Sequence, residues 1–174
     1  MSRSTARTVA DELAILRLGG GEAVHRFTRE YGPPLLGWCI RLSGPTVDPV
    51  PMARSVLDRA LGALDRAPRQ VPMRTWIFGL VYAAVEETDR PPRWWRRTKE
   101  DPADSGPRRR IRETLQHIPL EERAALVLVD FEGMRLESAA ILSGVPVGEL
   151  ARRLSVARAA FADASRVVGL TRDE

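Results

Sequence analysis

The sequence predicts an all-α protein of two small helical domains joined by a flexible linker, the second ending in a helix-turn-helix. Three observations carry this. Apolar residues recur at spacings of three and four along most of the chain, and no segment alternates with period two. Prolines and glycines punctuate those runs at helix-sized intervals. Periodicity disappears in RPPRWWRRTKEDPADSGP (90–107) and resumes after it. The expected boundaries are 1–90, a linker at 91–107, and 108–174.

In order along the chain, Val24, Phe27, Tyr31, Leu35 and Trp38 share one helical face between Ala23 and Leu42. Pro33 and Pro34 predict a kink or break near Gly32. Gly19, Gly20 and Gly21 read as a helix–helix connection, because no strand, lysine or hydroxyl accompanies them as in a phosphate loop. GPTVDPVP (44–51) is a turn. A second helix places Met52, Val56, Ala60 and Leu64 on one face, and RAPRQVP (66–72) is a loop. Arg74 to Glu87 forms a third helix, apolar through Trp76, Ile77, Leu80, Val81 and Ala84.

Beyond the linker, Ile111, Leu115 and Ile118 define a first face. Pro119 opens a helix through Ala125, Leu128 and Val129 that Gly133 ends. Leu136 to Ser143 is a short helix, Gly144-Val145-Pro146 the turn, and a last helix reaches about Arg166. On it Leu150, Leu154, Ala157 and Phe161 form the core stripe, opposite Arg152, Val156 and Ala159, with Arg153 and Arg158 on the flanks. That split suits a helix that reads a groove, and equally a plain amphipathic helix with a solvated arginine face.

Composition excludes several classes. The 174 residues are 44% hydrophobic and 29% charged, as in a globular protein. No apolar run is long enough to span a membrane and the N-terminus lacks a secretory core, so a cytoplasmic protein is expected. Net charge is +4, and Lys99 is the only lysine among 27 basic residues. Arginine suits phosphate and guanine edges, although a skewed base composition explains the bias equally well. Cys39, the only cysteine, sits in an apolar run and reads as a small core residue. His25 and His117 lie in no ligand-spaced motif, so no metal or cofactor is expected. The adjacent carboxylates Glu86-Glu87 and Glu121-Glu122 diverge on a helix, and no nucleophile has an oriented base, so no enzyme is expected.

From Glu132, the run EGMRLESAAILSGVPVGELARRLSVARAAF resembles the fourth conserved region of bacterial sigma factors of the extracytoplasmic-function class. Glu132, Gly133, Glu137, Ala140, Gly144, Val147, Gly148, Arg153, Leu154, Ser155, Ala157 and Arg158 match its pattern without a gap. HIPLEERAALVLVDFEG (117–133) resembles the preceding helix, usually L-P-x-x-x-R-x-x-x-x-L-x-x-x-E-G. Arg74-Thr75-Trp76-Ile77-Phe78 resembles the R-x-W-L-F of the second conserved region. The resemblance implies a subunit that binds RNA polymerase core and directs it to promoter DNA, with an anti-sigma factor as a further partner. It implies minus-thirty-five contacts from Arg152, Arg153, Arg158, Glu149 and Ser155, and minus-ten contacts from Arg66, Arg69, Gln70, Arg74 and Trp76. Polymerase contacts fall on Met52, Arg54, Ser55, Leu57, Asp58 and Leu61.

The chain departs from the pattern at several points. Pro51-Met52-Ala53-Arg54-Ser55 replaces an acidic D-L-V-Q-E run, removing two carboxylates from the expected polymerase contact and adding an arginine. Gly79, Tyr82 and Ala83 replace polar residues. Ala151 and Val156 stand where basic residues are usual, and Glu149 where threonine is. Glu149 either favours the helix dipole or meets a cytosine amino group. These departures support an alternative: a degenerate sigma-like regulator that acts through protein contacts without autonomous promoter recognition. Arg93-Trp94-Trp95-Arg96-Arg97 either packs on single-stranded DNA or on polymerase, or its tryptophans fold back on the first domain.

Overall fold

The computed structural model describes residues 7–44, 47–89 and 107–167, leaving out the side chains of 89, 107, 108 and 167. The described residues form seven α-helices: α1 (Val9–Leu42), α2 (Pro49–Ala63), α3 (Met73–Asp89), α4 (Pro107–Gln116), α5 (Leu120–Leu126), α6 (Leu136–Ser143) and α7 (Val147–Val167). A 3-10 turn, Leu64–Arg66, follows α2, and a π-helical turn, Val127–Phe131, follows α5. The expected linker and its Trp94-Trp95 pair lie outside the described residues, apart from Pro107, which opens α4.

Thr8 caps α1 in a reciprocal box: its Oγ1 accepts from the Asp11 amide at 3.3 Å, and the Asp11 carboxylate accepts from the Thr8 amide at 2.8 Å. The helix breaks at Gly20 (φ 52°, ψ −139°), not near Gly32 as the prolines suggested. Pro33 and Pro34 lie within the helix. The carbonyls they leave unbonded belong to Arg29 and Glu30, both exposed residues that water reaches. Meanwhile Phe27, Tyr31, Leu35, Trp38 and Leu42 are all buried, so packing carries the helix across the prolines.

Around that stripe pack Met52, Val56, Ala60 and Leu64 from the α2 segment and Met73, Ile77, Phe78, Val81 and Val85 from α3. Trp38 meets Phe78 edge-on at 5.3 Å. Cys39 is buried here as a free thiol, and burial pushes its pKa up to about 12.

In the C-terminal half, α5 and α6 pack on α7 around Ala124, Leu128, Ala140, Leu150, Leu154 and Ala157. The π turn closes with the Glu132 amide donating to the Val127 carbonyl at 3.0 Å, a widening the helical periodicity gave no reason to expect. Gly144 ends α6 in the left-handed region (φ 68°, ψ 26°), and the Val145 amide donates to the Ala140 carbonyl at 3.2 Å. A Cβ on Gly144 would meet nothing within 4 Å. Gly144→Ala is therefore expected to cost about 1 kcal/mol from backbone strain alone, measurable by urea unfolding.

The two halves share one apolar core, and arginine side chains tie them together. Buried Arg123 donates through Nη1 to the Leu42 carbonyl and to Gln116 Oε1 (3.1 Å), and through Nη2 to the Ile118 carbonyl (2.8 Å). Arg112 donates to the Gly44 and Val47 carbonyls at 2.9 and 3.1 Å. Arg41 of α1 pairs with Glu132 at 2.6 Å.

Candidate nucleic-acid interface

On α7, Leu150, Leu154 and Ala157 are buried, while Arg152, Ser155, Val156, Arg158 and Ala159 are exposed. The geometry adds a feature the residue pattern did not contain. Each predicted arginine is already engaged by a carboxylate. Arg152 donates to both Glu149 oxygens at 3.0 and 2.9 Å. Arg153 bonds Glu149 at 2.7 Å and Glu121 of α5 at 2.7 Å. Arg158 forms a two-point pair with Asp130 at 2.9 and 2.7 Å.

Glu149 thus serves both arginines on its own helix while lying in the positive first turn. The hydrogen bonds from Arg152 and Arg153 hold its carboxyl down to about 2. The direction sets the pH behaviour. A depressed carboxyl stabilises the helix start above the unfolded value near 4.5 and loses that contribution as pH falls from there through about 2. A carbon-detected NMR titration is expected to give Glu149 a midpoint near 2, returning towards 4.5 when Arg152 and Arg153 are both replaced by alanine.

The three arginines do not form one open row. The side chains of Arg152 and Arg158 are 58% and 56% exposed, whereas that of Arg153 is 20% exposed. Arg153 lines a cleft of about 240 Å³ together with Phe78 and Tyr82 of α3, Glu121, Leu142 and Leu150. The start of α7 therefore faces the N-terminal half across this cleft.

A second surface surrounds the loop before α3. Arg66, Arg69, Gln70 and Arg74 are exposed. Arg69 donates to the Asp65 carbonyl at 3.1 Å, and the Arg74 guanidinium lies 5.8 Å from the Trp38 ring. Trp76 is half-buried and packs on the core, which leaves only part of its ring for stacking. On α2, Arg54, Ser55 and Asp58 line an open groove of about 430 Å³, and Leu57 and Leu61 are half-buried. Met52 does not belong to that face. At 9% exposure it points into the core, because the Met52–Val56–Ala60 edge is turned towards α1 and α3.

Residues 108–161 match the family model of sigma-70 region 4. The matched segment comprises α4 to α6 and α7 up to Phe161. Within it, the two polar residues of the L-P-x-x-x-R…E-G run are Arg123 and Glu132, and both bond to α1 of the other half. Most of the chain shares its fold with CnrH, solved in complex with the cytosolic domain of CnrY (TM-score 0.70, 22% identity, covering 91% of this chain and 98% of that one). It is also similar in fold to the sigma factor RpoE, solved with the anti-sigma factor NepR from Bartonella quintana (TM-score 0.59, 18% identity, covering 82% and 96%). A search of curated protein sequences returns no match. Among the described residues, no helix is long and apolar enough to cross a membrane.

Sequence reasoning missed the carboxylate partners of the region 4 arginines. Glu121 and Asp130 are 32 and 28 positions from the arginines they bind, and no periodicity within one helix links such residues. Glu149 was visible, since it precedes Arg152 and Arg153 by three and four residues.

Proposed function

We propose that the chain is a sigma factor of the extracytoplasmic-function class. It binds RNA polymerase core in the cytoplasm and directs promoter-specific initiation, with all bond-making left to the polymerase. One observation carries this reading: a segment that matches region 4 is joined to an N-terminal half such that most of the chain shares the fold of a sigma factor. The exposed part of α2, Arg54, Ser55 and Asp58, is the candidate polymerase face. Arg66, Arg69, Gln70 and Arg74 are the candidates for the minus-ten element, and Arg152, Ser155 and Arg158 for the minus-thirty-five element. A partner of the anti-sigma type fits the same reading, since both similar structures hold such a chain or a cytosolic domain.

The second reading, a sigma-like regulator without autonomous promoter recognition, is favoured by the self-neutralised arginines of α7 and by Arg54 on α2. The two separate in one experiment. Purified protein is mixed with core polymerase and assayed for co-elution and for salt-sensitive transcription from a fork-junction promoter. Both are expected. Co-elution without transcription favours the regulator, and no co-elution removes the sigma reading.

A further inference from the structure

The N-terminal segment ahead of Gly20 carried no functional expectation, yet it makes several polar contacts with the basic loop. Helix N-termini leave amide donors without partners in their own helix. Here the first amides of α1 are used on the loop: Val9 donates to the Val71 carbonyl at 3.0 Å and Ala10 to the Arg69 carbonyl at 3.1 Å. The first amide of α3, on Met73, donates back to the Arg7 carbonyl at 2.9 Å. Thr8 and Pro72 form an antiparallel bridge between these bonds, and Arg17 pairs with Asp65 at 2.7 Å at the loop's other end.

The segment is itself pinned by a buried ion cluster. Glu12 is fully buried and accepts from Tyr31 Oη and Arg26, each at 3.0 Å, and lies 3.1 Å from Arg7. Arg7 also bonds Glu30 at 2.6 and 2.5 Å. A buried carboxylate with this many donors adds little net stability compared with an apolar packing, but it fixes one geometry, because every other placement strands charge.

We propose that residues 7–17, anchored by Glu12, are the positioning element of the 65–72 loop and hold it in the single backbone shape that presents Arg66, Arg69 and Gln70 to single-stranded promoter DNA. The role rests on the sigma reading above; the clamp itself does not. Glu12 touches no DNA and acts through the loop.

The test uses the full chain bound to core polymerase and a fork-junction DNA pool whose minus-ten single strand is randomised. Two variants act on different parts of the clamp. Glu12→Gln removes the buried charge. Val9→Pro deletes one clamp bond at a first-turn position where proline fits, since Thr8 is already extended (ψ 166°). Each variant is expected to flatten the base preference of the selected pool at least fivefold. Each is expected to speed amide exchange at Ala10 and Met73 at least tenfold and to keep core affinity within twofold. If Glu12→Gln does not fold, Val9→Pro decides. Unchanged preference, with or without faster exchange, overturns the positioning role, since a purely structural lesion lowers the active fraction and leaves the preference ratio alone. A wild type that retains core but selects no base, or retains no core, overturns the sigma reading and this role with it. Failure confined to the variants overturns the role only.

Discussion

Replacing Arg123 by methionine is expected to cost about 3 kcal/mol of folding stability and to loosen the docking of the two halves. Methionine retains much of the buried volume, so the loss falls on polar groups rather than on a cavity. The Leu42 and Ile118 carbonyls lose charge-assisted donors in a site from which water is excluded, and Gln116 loses its partner. Two stranded buried carbonyls at about 1–3 kcal/mol each set the scale. Urea unfolding measures the total. Small-angle scattering reads the second consequence, an increase in the radius of gyration, because the bond to Leu42 crosses from one half to the other. A loss below about 0.5 kcal/mol, typical of a neutral surface change, would mean that apolar packing alone holds the halves.

The paired substitution Arg152→Ala with Arg158→Ala is expected to lower duplex promoter affinity by about 3 kcal/mol, roughly a hundredfold, and to reduce the steepness of the salt dependence by about two phosphates' worth. These two are exposed arginines of α7, and their guanidiniums need only exchange a surface carboxylate for a phosphate or base edge. Arg153→Ala is expected to weaken DNA binding less, since that side chain is 20% exposed and lodged between Glu149 and Glu121 beside the cleft. Fluorescence anisotropy with a duplex minus-thirty-five fragment at several salt concentrations distinguishes the cases. If the double variant keeps wild-type affinity, α7 does not read DNA and the regulator reading gains.

Both expectations depend in part on partners remote in sequence, Leu42 for Arg123 and Asp130 for Arg158, and that marks the limit of what was legible. The α7 core stripe, the Gly144 turn, the α2 face and the burial of Cys39 follow from spacing of three and four and from the conformational freedom of glycine. The proline rule failed at Pro33 and Pro34. A local rule predicts a break there, but the Tyr31, Leu35 and Trp38 side chains are held by α2 and α3 on one face while the lost bonds face water on the other. The family resemblance put Met52 on a partner face, although spacing with its stripe mates Val56 and Ala60 already assigned it to the core.

The sequence by itself determined the all-helical architecture, the helix-turn-helix and the region 4 pattern, because each depends on residues within a few turns of one another. Only the tertiary structure decided what the charges do. Arg123 and Arg112 join the halves, Glu12 anchors the segment that clamps the basic loop, and Glu121 and Asp130 hold Arg153 and Arg158 of α7. Burial of an apolar side chain is written in its periodicity. A charge acquires its role from whichever opposite charge or carbonyl the folded chain brings within about 3 Å, and no one-dimensional pattern encodes that distance.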